Sequence, residues 1–364
     1  IKPPAGDLET ALKVLEPGEE WAVMPQPLDG NPSLWTPGVK YGAQPGSYTH
    51  MTEFFGPVLA VMRFETLREA VDLVNQTGYG LTSGLESLDE REWEYWKENI
   101  RAGNLYVNRV TTGAIVLRQP FGGMGKSGFG PGMKAGGPNY VAQFMDFEDV
   151  AAAAPANLPE SPTLAALCRG LSAAPADGDG RIVAAATSYE RSHGEEFGQE
   201  HDHFRLVGQD NVRRYRPVGS VRVRVHPDDT QFDIFARACA AHTAGCRVVV
   251  SSPPGTASPA VQRLERLTES WAAAIEFVEE TDAALASATG DGRVDRVRYA
   301  APDRAVLEVL EAGNRANGCV VSVPVSAEGR LELLWYLREQ SISTDYHRYG
   351  NLGVRADEPR AEVE

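Results

Sequence analysis

Cysteine is scarce in this chain: four in 364 residues, Cys168, Cys239, Cys246 and Cys319. None has the spacing of a metal site or a disulfide framework, which fits a reducing cytoplasm, the expected location. Basic residues are also short, 35 against 50 acidic ones, so the formal net charge is −15. Such a chain is a poor partner for nucleic acid or an anionic membrane, although local donors can still hold a small acidic ligand. No apolar run approaches the ~18 residues of a membrane span. No signal-peptide pattern is visible, and the chain opens on Ile1 rather than Met, so a fragment or a trimmed chain is expected. Apolar content of 42% and charged content of 23% are those of an ordinary globular protein, and the length predicts about two domains.

Glycine is concentrated where a function is expected. The stretch Val107 to Tyr140, VNRVTTGAIVLRQPFGGMGKSGFGPGMKAGGPNY, holds nine glycines and three prolines. Neither a helix nor a strand interior tolerates that density, so an ordered loop is predicted, with Ile115, Val116, Phe121, Met124 and Phe129 punctuating it. Upstream, Thr52-Glu53-Phe54-Phe55-Gly56-Pro57-Val58 places a carboxylate two residues before an aromatic ring. A carboxylate can accept both hydroxyls of a ribose, and a ring can lie beside a flat heterocycle. From residue types alone, a surface Glu before a buried Phe is the commoner arrangement.

These motifs together resemble the aldehyde dehydrogenase superfamily, and the 1-pyrroline-5-carboxylate (L-glutamate γ-semialdehyde) dehydrogenase branch in particular. Gln119-Pro120-Phe121-Gly122-Gly123 is similar to an element of the whole superfamily. Thr112-Gly113-Ala114-Ile115-Val116 and Lys134 to Tyr140 resemble this branch. The resemblance implies NAD as cofactor, with Glu53 on the nicotinamide ribose and Phe55 packed on the nicotinamide. It also implies that Thr112, Gly113 and Ala114 wrap the α-carboxylate of glutamate semialdehyde with backbone N–H groups, and that Phe121 packs on its aliphatic part. Arg118 could add a cation, but a solvated loop arginine is the commoner reading.

The flanking pattern is α/β. Trp21–Met24, Gly38–Tyr41, Val58–Phe64 and Asn104–Asn108 read as strands. Leu8–Leu15 has helical spacing. Thr66 with Glu69, and Asp89 with Glu92, open two further helices. Beyond Tyr140, Val141–Val150 reads as a strand similar to the one by which aldehyde dehydrogenases pair between subunits, so a homo-oligomer is expected. Residues 151–162, AAAAPANLPESP, read as a linker. After a Glu- and His-rich piece (Tyr189 to His203), a β-hairpin is predicted from His203–Val207 and Val212–Arg216, turning at Gly208–Asn211. Strands at Val221–Val225, Val248–Ser252, Ile275–Glu279, Val294–Tyr299 and Cys319–Val323 then alternate with helices at Phe232–Ala244, Pro259–Ala273 and Arg304–Asn317. That alternation predicts a mostly parallel sheet.

Departures from the family pattern limit the expected chemistry. The superfamily reaction needs a cysteine thiolate upstream of the Glu53 motif and a glutamate base, and no cysteine precedes Glu53. Past residue 205 the family frame persists in degraded form. His226-Pro227-Asp228-Asp229 replaces P-W-N-F, Val248 to Pro254 lacks the usual Lys and Glu, and Tyr299-Ala300-Ala301-Pro302-Asp303 replaces F-T-G-S-T. The expected architecture is therefore α/β: the C-terminal part of an aldehyde dehydrogenase catalytic domain (1–150), the linker (151–162), and a non-catalytic aldehyde-dehydrogenase-like, Rossmann-type domain with a β-hairpin flap (163–364). Such a domain occurs in long proline utilization A proteins, whose C-terminal motif Ser341–Leu352 resembles and which helps to close a tunnel; a docked terminal strand fits that segment equally. The whole implies the C-terminal portion of a semialdehyde dehydrogenase that yields glutamate in proline catabolism, inactive by itself, with FAD involved only if a proline dehydrogenase domain precedes it. Another aldehyde dehydrogenase is the alternative, and a lid or oligomerisation module is preferred for 160–364.

Overall fold

A computed structural model describes residues 2–148, 157–256, 258–316, 318–347 and 349–360. The first half of the expected linker, 151–156, lies outside the described residues. The chain divides into two compact units, residues 1–79 with 87–101, and residues 80–86 with 102–364.

The first unit opens with helix α1 (Asp7–Lys13), followed by strands β1 (Glu20–Val23), β2 (Gly38–Tyr41) and β3 (Val58–Val61). β2 is central, antiparallel to β1 and parallel to β3. Helices α2 (Leu67–Gln76) and α3 (Glu90–Asn99) begin where their caps predict. Thr66 Oγ1 accepts the Glu69 N–H at 3.2 Å. The Glu69 carboxylate reaches one residue past the cap, to the Glu65 N–H at 2.8 Å, so the chain on both sides of the cap is tied down. Trp96 and Ile100 are buried as their spacing predicts.

The second unit holds two sheets. In the four-stranded one, β4 (Thr82–Leu85) and β5 (Asn104–Val107) lie parallel. Helices α4 (Pro162–Ala173) and α5 (Asp179–Ser192) follow, then strand β6 (Gln209–Pro217). The Rossmann-type half then runs β7 (Ser220–Arg224), α6 (Gln231–Thr243), β8 (Arg247–Ser252), α7 (Pro259–Leu267), β9 (Ile275–Glu279), α8 (Asp282–Gly290), β10 (Arg296–Arg298), α9 (Leu307–Arg315) and β11 (Cys319–Val321). Its five strands are all parallel in the order β9-β8-β7-β10-β11, the doubly wound arrangement the alternation predicts. Val248, Val249 and Val250 form an unbroken buried run, as expected of a strand covered on both faces. Finally β12 (Leu337–Asp345) returns to the other sheet, antiparallel to β6 along all nine residues and parallel to β5. The order there is β6-β12-β5-β4.

Two expectations change. The predicted hairpin is not one of two regular arms: residues 203–207 form no strand, and the incoming chain meets β6 through the His201–Arg213 bridge and through side chains such as Asp202, whose Oδ2 accepts the Asn211 N–H at 3.1 Å. The regular partner of β6 is β12, which offers nine residues of alternating donors and acceptors where the short polar arm offers one pair. Val141–Phe144 is 3₁₀ helix rather than strand, with Ala142 N–H on Asn139 O at 3.1 Å; a lone strand has no ladder partner of its own, and i→i+3 bonds satisfy the backbone instead. Residues 149 and 150 of that segment lie outside the described residues. Within the Glu- and His-rich piece, α5 passes into a π-turn at His193–Phe197.

Candidate functional site

The glycine-rich loop leaves the end of β5, whose four residues are all buried. Its glycines allow close backbone approach: a Cβ on Gly123 would lie 2.2 Å from Ser127 O. The loop's two halves are joined by Leu117 N–H on Gly136 O (2.7 Å) and Phe121 N–H on Ala135 O (2.9 Å).

Below the loop lies a buried polar floor. Gln119 is 3% exposed and donates through Nε2 to Asn211 Oδ1 at 3.0 Å and Ser343 Oγ at 3.1 Å, on β6 and β12. The Lys134 ammonium bonds Gly103 O, Asn104 Oδ1 (2.7 Å) and Pro120 O (3.4 Å). Burial pushes its pKa down to about 7, against the pull of Glu339. Ser341 on β12 donates to Pro120 O at 2.7 Å. Sequence reasoning quoted Lys134 to Tyr140 as a motif without a role for its polar residues. The signal available was a Lys and an Asn in a segment of small residues, with no acidic residue nearby in sequence.

The turn Thr112–Ala114 sits at the exposed tip. Gly113 has φ +113°, a left-handed region that suits glycine. The Tyr106 hydroxyl, from β5, donates to Gly113 O at 2.8 Å. A trans peptide points its C=O and the following N–H in opposite directions, so the Ala114 N–H is turned away from Tyr106. Among the described residues, no protein acceptor takes the N–H of Thr112, Gly113 or Ala114. Phe121 is partly buried and anchors its segment through the bridge to Ala135.

In the first unit, Glu53 is exposed and its carboxylate accepts no protein hydrogen bond among the described residues. Phe55 is 89% exposed, with φ 50°. The short helix before them starts on Glu16, whose carboxylate accepts the N–H groups of Tyr48 (3.1 Å) and Thr49 (2.7 Å). The Thr49 bond leads in holding the Glu16 pKa below its usual value. Glu53 and Phe55 thus share one unit, while Thr112, Gly113, Ala114 and Phe121 share the other.

Burial pushes Cys168 and Cys246 up to about 11 and Cys239 higher still.

In the Rossmann-type sheet the strand order reverses between the paired strands β7 and β10, the place where such folds bind dinucleotides. Arg237, fully buried on α6, donates through Nη1 to Arg224 O (2.8 Å) and Arg298 O (2.9 Å), bridging the ends of β7 and β10. Its other terminal nitrogen pairs with buried Asp229, which also takes Arg304. The start of α6 is closed by a capping box between Thr230 and Asp233. A carboxylate and a filled cap stand where a phosphate would need free N–H groups.

Residues 9–150 match the aldehyde dehydrogenase family. The chain is similar to a solved structure of proline utilization A (PutA) from Corynebacterium freiburgense, 35% identical with a TM-score of 0.74, covering 96% of this chain and 31% of that one. It is 50% identical over 95 residues to the bifunctional protein PutA of Rhizobium meliloti, covering 26% of this chain and 8% of that protein. It is 40% identical over 114 residues to a 1-pyrroline-5-carboxylate dehydrogenase of Geobacillus sp. (strain WCH70), covering 31% of this chain and 22% of that protein. The chain therefore spans less than a third of the length of each of these relatives. Residues 9–150 carry an aldehyde dehydrogenase family domain, and nearly the whole chain shares its fold with part of a proline utilization A protein.

Proposed function

We propose that this chain supplies the substrate-anchoring part of an NAD-dependent L-glutamate γ-semialdehyde dehydrogenase of proline catabolism, within a bifunctional proline dehydrogenase/semialdehyde dehydrogenase. The observation that carries the reading is the Thr112–Ala114 turn, whose three N–H groups have no protein acceptor and whose Gly113 carbonyl is held back by Tyr106. Such a turn can wrap a carboxylate. Phe121 would then lie along the aliphatic part of the substrate. Exposed Glu53 and Phe55 fit the ribose and nicotinamide of NAD, which supplies hydride acceptance when bound; this chain's part is to accept ribose hydroxyls at the Glu53 carboxylate and to cover one ring face with Phe55.

In this reading residues 1–150 are the dehydrogenase part, 151–162 the linker, and 163–364 a non-catalytic lid or assembly module of a cytoplasmic homo-oligomer. The buried Arg237 that bridges the ends of β7 and β10 supports the last assignment. The thiolate that attacks the aldehyde is not among this chain's cysteines, so the chain alone is inactive.

The test is titration of the purified chain with L-glutamate, the product, while following backbone amide resonances. Shifts concentrated at Thr112, Gly113 and Ala114 are expected. An unresponsive turn, or cysteine-dependent NADH formation by this chain from the semialdehyde and NAD, would sink the reading.

A further inference from the structure

Arg109 lies four residues before Gly113. Its Nη2 is 3.9 Å from the position a Cβ would take on Gly113. The side chain is 13% exposed and lies over the Tyr106 ring, with Cζ 5.6 Å from the ring centroid. Its Nε and Nη1 are buried and make no hydrogen bond. The facing carboxylate is Asp345, at the end of β12, with Oδ1 3.8 Å from Nη1. That oxygen already accepts Gln209 Nε2 at 2.6 Å, and Gln209 Oε1 in turn accepts from Arg118 and from Asn211 Nδ2. Asp345 therefore neutralises part of the Arg109 charge without using its donors.

A buried guanidinium with two donors unused is costly unless something recovers the loss. Here the neighbouring turn also holds three N–H groups without acceptors. The incompletely paired Arg109 charge thus lies beside exposed, solvated N–H groups, a combination that suits an anion at the turn. A purely structural arginine would be expected to complete its hydrogen bonds with the carboxylate beside it.

We propose that Arg109 is a specificity-determining residue, whose charge, weakened by Asp345, selects ligands that carry a carboxylate at the Thr112–Ala114 turn. This rests on the reading of that turn as a carboxylate site. The two side chains then act with opposite signs. Arg109 strengthens carboxylate binding through space, and Asp345 weakens it by competing for the same charge.

The experiment uses the whole chain and two probes, L-glutamate and L-isoglutamine, which differ only in the α-carboxylate becoming an amide. Affinities are read from the Thr112, Gly113 and Ala114 amide shifts. The unaltered protein should prefer glutamate. Arg109→Gln should reduce that preference by about tenfold, Arg109→Lys should keep part of it, and Asp345→Asn should increase it by a few fold. The remaining amide spectrum reports whether each variant is folded. If the unaltered turn ignores glutamate, or treats both probes alike, the carboxylate reading of the turn fails and this inference with it. If the turn prefers glutamate and Arg109→Gln leaves the preference intact, only the present inference is overturned. Equal weakening by Arg109→Gln and Asp345→Asn also overturns it, because a merely structural pair behaves that way.

Discussion

Asn139 donates through Nδ2 to Glu339 Oε1 at 2.6 Å, tying the end of the glycine-rich loop to a strand 200 positions further along the chain. Glu339 Oε2 meanwhile accepts the Lys134 N–H at 3.0 Å, so both carboxylate oxygens are used for the loop. Burial raises the Glu339 pKa, although Asn139 and Lys134 oppose the shift.

Removing the donor should therefore be felt as stability. Asn139→Ala is expected to cost about 2–4 kcal/mol at neutral pH, because a buried carboxylate oxygen loses its partner. Asn139→Asp should cost more, since it sets a second carboxylate against the first. Denaturant midpoints of the two variants test the order, and an aspartate variant more stable than the alanine one would contradict it.

Gly113→Ala places a side chain at φ +113°, which should strain the turn by about 1–3 kcal/mol and abolish the amide response to glutamate. Gly178→Ala is the control. It is also left-handed, at φ +84° with nothing within 4 Å of the added Cβ, and should show similar strain with the response intact. Loss of the response in both variants would mean that the turn merely follows global stability.

The thiols offer a third check. Cys168, Cys239 and Cys246 are buried with raised pKa values, whereas Cys319 is partly exposed. An aromatic disulfide reagent at pH 8 should label Cys319 first and the others only on unfolding. Fast labelling of Cys239 in the folded protein would overturn this assignment.

Asp179 supplies the pH dependence. Burial would raise its pKa, but the bonds from Arg263 at 2.8 Å to each oxygen, with Ala176 N–H and Gln231, bring it below the model-peptide value of 3.8. A carboxylate depressed in the folded state adds stability above its unfolded pKa, and loses it as pH falls through the folded one. Asp179→Asn should thus destabilise by about 1–3 kcal/mol at pH 7, with the gap closing below pH 3.8. Thermal melts across that range decide it; a gap independent of pH would show that the charge is not what matters.

Local signals were strong wherever one element carries its own pattern. Thr66 and Asp89 announced helices, and the valines at 248–250 announced a central strand. Helix α4 was equally readable, with Leu164, Leu167, Cys168 and Leu171 buried at i, i+3, i+4 and i+7 after Pro162, but the alanine-rich run before it drew attention to a linker. The partner of β6 could not be read, because strand pairing over more than a hundred residues leaves no periodic trace. The loop motif was legible as a motif. Its support was not, because Tyr106, Asn211, Glu339 and Ser343 meet the loop only through the sheet.

The insertion of β12 between β5 and β6 has a consequence for biosynthesis. Strand β5 and its loop leave the ribosome about two hundred residues before β12, a delay on the order of tens of seconds. During that interval one edge of β5 has no strand beside it, and Gln119, Lys134 and Asn139 lack the acceptors that Ser343 and Glu339 later provide. A nascent chain stalled before Leu337 would carry every residue of the anchoring turn on an unfinished floor, open to edge-to-edge pairing with another chain. Strand β12 is therefore what completes the floor beneath the glycine-rich loop.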